Sequence, residues 1–504
     1  MNIAVDDVIK IRLGTALVSL FLSVFLIYSD DIINSDGILY MDMAEAFIHG
    51  GLIQTAKLYD WPFFSIFIAY LHQLTSLSFE TSASVLNTIL AVLLTDTLLL
   101  ISNKFLPNTR QLAVAALLIV SFYTLNDYRD YIIRDFGYWA FCSLTLYRFI
   151  LYLESSSVRN STLWQLCALI AIFFRIEGLF VLFALPLYLF FVHQPLLATK
   201  KMIRLNYLFI IGGLVGTIAA ISNMKELSVD AFGKILSMTH YIDMQNTFTQ
   251  IGSRADILST QILHPYAGEY GILILVSGLF SMLIFKLVKA ISFGYLAIFV
   301  SSFWRDADIN TDNKYLNLLT YFALIHIFIL VTFILTMYFV STRYAMMAIL
   351  TLLLLMLPRM TSWISEAWAS RKITRLIFIG LALLISITDV MTSSVSKIYI
   401  QNAAIWASSN ISYHSSILTG DAFSHYYLKK HSRNNNIKLA KHRQAKGNDY
   451  LTNKYQNYDY LLTLEKRKDT ELRLALKQMN LELIHCERNK RKDKSCVYKV
   501  MHNE

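Results

Sequence analysis

Charge and proline are scarce in this chain. Of its 504 residues only 16% are Asp, Glu, Lys or Arg, and six are proline. A soluble protein of this length carries about 25% charged residues, so water is not the main solvent here. Cysteine is scarce as well. The four cysteines form no CxxC pair and no metal-ligand spacing, which excludes a disulfide-stapled scaffold and a zinc module. Cys142 and Cys167 lie inside apolar runs and read as packing residues. Internal repeats and low-complexity tracts are lacking, although Ser432 to Asn448 is polar enough for a mobile loop.

What is abundant is apolar: 55% of the residues are hydrophobic. Runs that could cross a bilayer lie at 12–28, 83–101, 111–125, 136–153, 162–174, 178–192, 205–222, 271–286, 316–338, 344–358 and 374–391. Several are shorter than the ~20 residues a helix needs to span a ~30 Å hydrocarbon core, so their ends extend into polar flanks. The pattern predicts an all-α polytopic membrane domain of about 11–13 transmembrane helices over residues 1–391.

The net charge of +10 does not point to nucleic acid. Lys10 and Arg12, Lys104 and Arg110, Arg159, the cluster Lys200, Lys201 and Arg204, Lys286 and Lys289, and Arg359 to Arg375 fall in alternate loops. By the positive-inside rule these mark the cytoplasmic side. The first apolar run has no small-residue cleavage site and reads as a retained anchor. Crossing helices at Phe63 to Leu77 or Ile291 to Trp304 would export basic loops, so both are expected to stay on one side, the first as an amphipathic or re-entrant piece. Residues 29–82 then form an acidic extracytoplasmic loop.

From 392 the composition turns polar and basic. Residues 392–504 are expected to form a small soluble α+β domain, with helices at IYIQNAAIWASSN and TELRLALKQMN and strands at SILTGD, YDYLLTLE, LELIHCE and CVYKV. The last two make a hairpin that places Cys486 opposite Cys496. A disulfide and a pair of free thiols are both open at this stage.

Two acids stand out. Ser35 as N-cap starts a helix that ends at Gly50 and Gly51, with Asp36, Tyr40, Ala44 and Phe47 on one face and Asp42 and Glu45 on another. Asp36 then sits at a helix N-terminus, whose dipole favours a negative charge. That suits a general base or a metal ligand; the plainer reading is an ordinary first-turn aspartate. The outer loop NDYRDYIIRDFGYW offers Asp130 and Arg134 as a helical i, i+4 ion pair, which leaves Asp135 without a local partner. Arg175 and Glu177 share a turn, and Arg343 has no acid nearby in sequence. Either arginine can anchor a helix end at the headgroups or grip a phosphate with its two-pronged guanidinium. Lys57, His240, His264 and His425 lie on the same side; the histidines read as surface or structural residues.

In order along the chain, SDGILYMDMAEAF, DWPFF, SVLNTIL, the RD-bearing outer loop, FRIEG and the RY turn resemble the GT-C glycosyltransferases. The nearest branch holds bacterial aminoarabinose transferases and protein O-mannosyltransferases. The resemblance covers about Arg12 to Met391. It implies an inverting transfer from a polyprenyl-phosphate sugar to a glycan, lipid or protein acceptor at the extracytoplasmic face of the inner membrane. By position it implies Asp36 and Asp135 as catalytic acids and as ligands of a divalent cation, if one is used. Arg134, Arg175 and Arg343 would hold the donor phosphate, and Tyr40, Lys57, Glu177 and Tyr344 would contact substrate. Asp60 and Trp61 before a single Pro62 replace the lysine and proline pair of the aminoarabinose branch, which argues against that sugar. A lipid-linked-glycan flippase, or a polymerase or ligase using a lipid diphosphate, shares much of this topology.

Overall fold

A computed structural model describes residues 5–29, 32–213, 243–304, 313–392, 396–432, 437–439 and 455–502. His240, the end of the run 205–222 and most of 432–448 lie outside the described residues.

The first helix, α1 (Val5–Ser29), is built inside out. Its buried side chains are Thr15, Ser19 and Ser23, one turn apart, while Leu13, Leu17, Phe21 and Val24 face outward. In water that arrangement would be unfavourable by about 25 cal/mol for each Å² of apolar surface. In lipid it is favourable, because the hydroxyls find partners only inside the protein. Five helical stretches are long and apolar enough to cross a membrane: α1, α4 (Phe79–Ser102), Pro265–Ile291, α13 (Lys314–Met337) and α14 (Thr342–Ala369). Of the remaining predicted runs, those at 111–125, 162–174, 178–192 and 374–391 fall on shorter apolar helices and 136–153 on α6 (Asp135–Glu154), while the end of 205–222 lies outside the described residues.

The first loop departs from expectation at two points. Its helix, α2 (Ser35–Leu58), is preceded by Asn34 at the N-cap instead of Ser35, and the Asn34 side chain does not cap it. Nor does α2 stop at the glycine pair. Gly51 adopts φ 64° and ψ −161°, a left-handed conformation that only glycine takes cheaply, and the helix bends there and resumes to Leu58. Next comes α3 (Phe63–Thr75), whose 13 residues rise only about 20 Å, too short to cross. Between the two, Trp61 is buried and donates to the Phe173 carbonyl at 2.9 Å, while Phe63 stacks on Phe173 with centroids 4.6 Å apart. The loop is thereby tied to the end of α7 (Val158–Phe174).

The helical body continues through α5 (Thr109–Val120), α8 (Gly178–Val192), α9 (Pro195–Leu205), α10 (Met244–Ile257), α11 (Gly271–Ile291), α12 (Phe293–Ser301) and α15 (Ile373–Thr392). One apolar core joins α2 through α9 with α11 through α15.

The C-terminal domain forms as predicted at α16 (Ile398–Asn410), β1 (Ile417–Thr419), β3 (Tyr460–Glu465), α18 (Thr470–Gln478), β4 (Leu481–Arg488) and β5 (Lys494–Val500). Two elements were not foreseen, α17 (Ala422–His431) and β2 (Ile437–Leu439). The sheet order is β2-β1-β3-β5-β4, parallel across the first three strands and antiparallel across the last three. Alternation puts Ile417 and Leu462 against α16 and α17 on one face, and Leu418 and Leu461 against α18 on the other.

Cys486 and Cys496 pair directly across β4 and β5 and form a disulfide, whereas Cys142 and Cys167 are buried free thiols. Denatured without reductant, the protein should take up maleimide at Cys142 and Cys167 only. Reduction should expose the other two, as intact-mass measurement will show; four labels before reduction would place this domain in a reducing compartment.

Candidate active site

Four separate elements deliver the site: the first turn of α2, the first turn of α6, the turn between α7 and α8, and the first turn of α14. Each is a helix end or the turn that joins two helices, where charged side chains stand at the limits of apolar runs.

At the centre is Asp135, 1% exposed. The Arg175 guanidinium pairs with one of its carboxylate oxygens, and Arg343 Nε lies 3.5 Å from the other. Arg343 also reaches Asp36, Nη1 to Oδ2 at 2.6 Å. Arg175 in turn holds Glu177 through two hydrogen bonds, one of them Nε to Oε2 at 3.2 Å. Acids and arginines therefore alternate in one chain: Asp36, Arg343, Asp135, Arg175, Glu177. Burial alone would raise the Glu177 carboxyl, but the Arg175 charge and its hydrogen bonds overcome this and pull it down to about 2. Tyr344 packs under both arginines, its ring centre 4.5 Å from the Arg175 guanidinium carbon and 5.4 Å from that of Arg343.

Arg134 stands outside this chain. Among the described residues no carboxylate pairs with it; its partner is Tyr59, whose hydroxyl accepts from Nη2 at 3.1 Å and whose ring lies beside the guanidinium. The expected pairing of Asp130 with Arg134 by helical spacing does not arise, because residues 127–134 form turns and the helix begins only at Asp135.

Arg134 and Arg175 line a cavity of about 160 Å³ whose other walls include Tyr59, Trp61, Glu177, Phe180, Ile329 and Phe333. A neighbouring small hollow of about 30 Å³ shares Arg175, Glu177 and Tyr344 and adds Tyr138, His326 and Arg343. His326 is buried beside the Cys142 thiol, 3.7 Å from Nε2 to Sγ. The result is a mouth lined by two arginines and a glutamate over an apolar slot.

Of the predicted residues, Asp36, Asp135, Arg175, Glu177, Arg343 and Tyr344 meet, and Arg134 lies beside them. Tyr40 is buried below, edge-on to Phe64 at 5.0 Å, and burial raises its phenol. Lys57 does not join them: it is exposed in the last turn of α2, past the Gly51 bend, and lines neither cavity. His264 is exposed, and His425 bonds Thr419 inside the C-terminal domain, both as structural residues. Three residues were missed: Tyr59, Trp61 and Tyr138. The DWPFF stretch signalled the second, since a tryptophan before a proline at a helix start is an unusual expense for a plain loop.

The two acids differ in their surroundings. Asp135 has both oxygens occupied, by Arg175 and Arg343, and lines neither cavity. The Asp36 side chain is 33% exposed and has one oxygen engaged by Arg343; it too lines neither cavity. The Arg343 guanidinium bridges Asp36 and Asp135, and among the described residues no three acid, histidine or cysteine side chains are grouped.

The lowered Glu177 carboxyl has a signed consequence. Its pairing stabilises the fold fully above about pH 4.5, the unpaired carboxylate range, and is lost as pH falls toward 2. In tryptophan-monitored unfolding in detergent, the stability gap between the natural protein and Glu177→Gln should be constant from pH 7 to about 5 and shrink below. A gap that widened on acidification would contradict the pairing.

No protein-family model matches the chain, and no curated protein is significantly similar to it. What the site does must be argued from its geometry.

Proposed function

We propose that this chain is an integral-membrane glycosyltransferase of the GT-C type that moves one sugar from a polyprenyl phosphate to an acceptor hydroxyl. The observation that carries this reading is the pairing of Arg134 and Arg175 with an apolar slot in one cavity. A donor with a phosphate between a sugar and a long lipid tail matches it: the tail takes the apolar wall and the phosphate takes the two guanidiniums. Placement in the inner membrane with an extracytoplasmic site agrees with the distribution of basic loops and with the Cys486–Cys496 disulfide.

The chemistry follows from the exposure of the acids. Asp36 accepts the proton of the acceptor hydroxyl as its oxygen attacks the anomeric carbon from the face opposite the phosphate. The bond from that carbon to the phosphate oxygen breaks, and its electron pair leaves with the polyprenyl phosphate. Arg134 and Arg175 stabilise the charge that grows there, and the configuration inverts. Asp135 and Glu177 keep Arg175 fixed while this happens. The acceptor is an envelope glycan, lipid or protein.

Asp36→Asn should leave the protein inserted and folded, since Arg343 keeps Asp135 as partner, and should abolish transfer. Mass spectrometry of envelope lipids and glycans from a deletion strain should show one missing sugar, restored by the natural gene and not by the Asp36→Asn allele. An intact glycan profile with lipid-linked cargo held on the inner leaflet would replace this reading with a flippase.

A further inference from the structure

The C-terminal domain meets the helical body where the first acid is presented. Ile32 belongs to the loop ahead of α2, yet it is 6% exposed and packs in the domain's own core with Tyr399, Ile400 and Tyr427. The next backbone amide, of Ile33, donates to the Tyr427 hydroxyl at 2.9 Å. Asn34 then passes the grip to the second loop. Its side-chain amide donates to the Ile132 carbonyl at 3.1 Å, and its side-chain oxygen accepts from the Ile132 amide at 2.8 Å. One side chain thus satisfies both backbone groups of one residue, as a neighbouring β-strand would.

Ile132 precedes Asp135 by three residues, and Asn34 precedes Asp36 by two. From the other side, Asn87 of α4 holds the Tyr131 carbonyl at 2.6 Å. Gly37 completes the contact: a Cβ built there would stand 2.9 Å from the Ile132 Cβ, so the two loops touch without a spacer. Lys429 to Glu45 at 3.3 Å and Lys430 to Glu80 at 2.5 Å add ion pairs between α17 and the helical body. Their side chains are a third or more exposed, so such pairs are weak, and the buried Ile32 and Tyr427 contacts carry the docking.

We infer that Asn34 is a positioning residue that sets Asp36 at its distance from Asp135, and that the C-terminal domain is the support on which it is set, through Ile32 and Tyr427. This rests on the reading that Asp36 is the base. The mechanism is mechanical: without the Asn34 clamp the first turn of α2 is free to shift against the loop before α6, and a displacement of about 1 Å at a reacting group costs roughly 100-fold in rate. The domain is part of the active-site scaffold.

The test uses the full chain in lipid nanodiscs, with Asn34→Ala, Tyr427→Phe and, as a control on docking alone, Lys429→Ala. Two quantities are read: backbone hydrogen exchange over 33–41 and 131–138, and steady-state transfer from a polyprenyl-phosphate sugar. Asn34→Ala should speed exchange in both segments and lower kcat by roughly 10- to 100-fold, with the donor KM changed by less than about twofold. Tyr427→Phe should speed exchange over 33–41 and lower kcat by a smaller factor. Asn34→Asp, which keeps the acceptor bond to the Ile132 amide, should recover part of the loss, and Lys429→Ala should change neither quantity. Unchanged exchange over 131–138 in Asn34→Ala, or a raised donor KM at full kcat, would overturn the inference. Should Asn34→Ala not fold, Tyr427→Phe decides, since unaltered exchange over 33–41 refutes the support role. If the natural protein transfers no sugar, the functional reading fails while the exchange data still decide the coupling.

Discussion

A buried carboxylate between two arginines is the constraint around which the rest is arranged. Asp135 is almost completely removed from solvent and would carry a desolvation cost of several kcal/mol if left alone. Arg175 and Arg343 cancel that cost, and each is then obliged to come from a different part of the chain: the α7–α8 turn and the start of α14. The helices that bear them must therefore end at the same depth. Glu177 and Asp36 close the two ends of the row, so the three acids and two arginines leave one negative charge, and Arg134 beside them restores neutrality. A neutral cluster is tolerable next to lipid, where a net charge would not be.

Elsewhere in the membrane body the same rule is met differently. Arg129 is buried with no carboxylate partner among the described residues; it donates to the Asn126 side-chain oxygen at 2.6 Å, to the Ser23 hydroxyl at 2.8 Å and to the Ser19 hydroxyl and carbonyl at 3.0 and 3.1 Å. This explains why α1 turns its serines inward. The helix whose outer surface is leucine and phenylalanine is held to the bundle by an arginine in the loop before Asp135, and near its other end Arg12 grips Asp96 of α4 with two bonds of 2.6 and 2.7 Å. The loop that presents Asp135 is in this way fixed both from the membrane interior and from the first loop.

Much of this was legible in the sequence, and the limits have physical causes. Charges at the ends of apolar runs are rare and costly, so Asp36, Asp135, Arg175 and Arg343 announced themselves. Their mutual pairing did not, because Asp36 and Arg343 are 307 residues apart and no local pattern records that distance. Asn34 was invisible for the same reason: an asparagine before a helix looks like a cap, and only its partner 98 residues away shows that it is not one. The Gly50–Gly51 pair was read as an end because glycine stops helices more often than it bends them. In the tail, α17 escaped because AFSHYYLKKH buries only Ser424, Tyr427 and Leu428, too little apolar repeat to show a period.

The two acids predicted as equals are not interchangeable, and the difference follows from geometry more than from chemistry. Both are aspartates at the first turn of a helix, where the dipole favours their charge. A base must exchange its proton with a bound molecule, which requires a lone pair that points toward that molecule. Asp135 has spent its oxygens on two guanidiniums and has no open side, whereas Asp36 has one oxygen committed and a third of its side chain exposed. The better-buried acid is thus the less able to react and the more able to hold. In the proposed transfer, that division would let the arginines stay fixed under a departing phosphate while the more exposed acid, carried on a helix end clamped at Asn34, meets the acceptor.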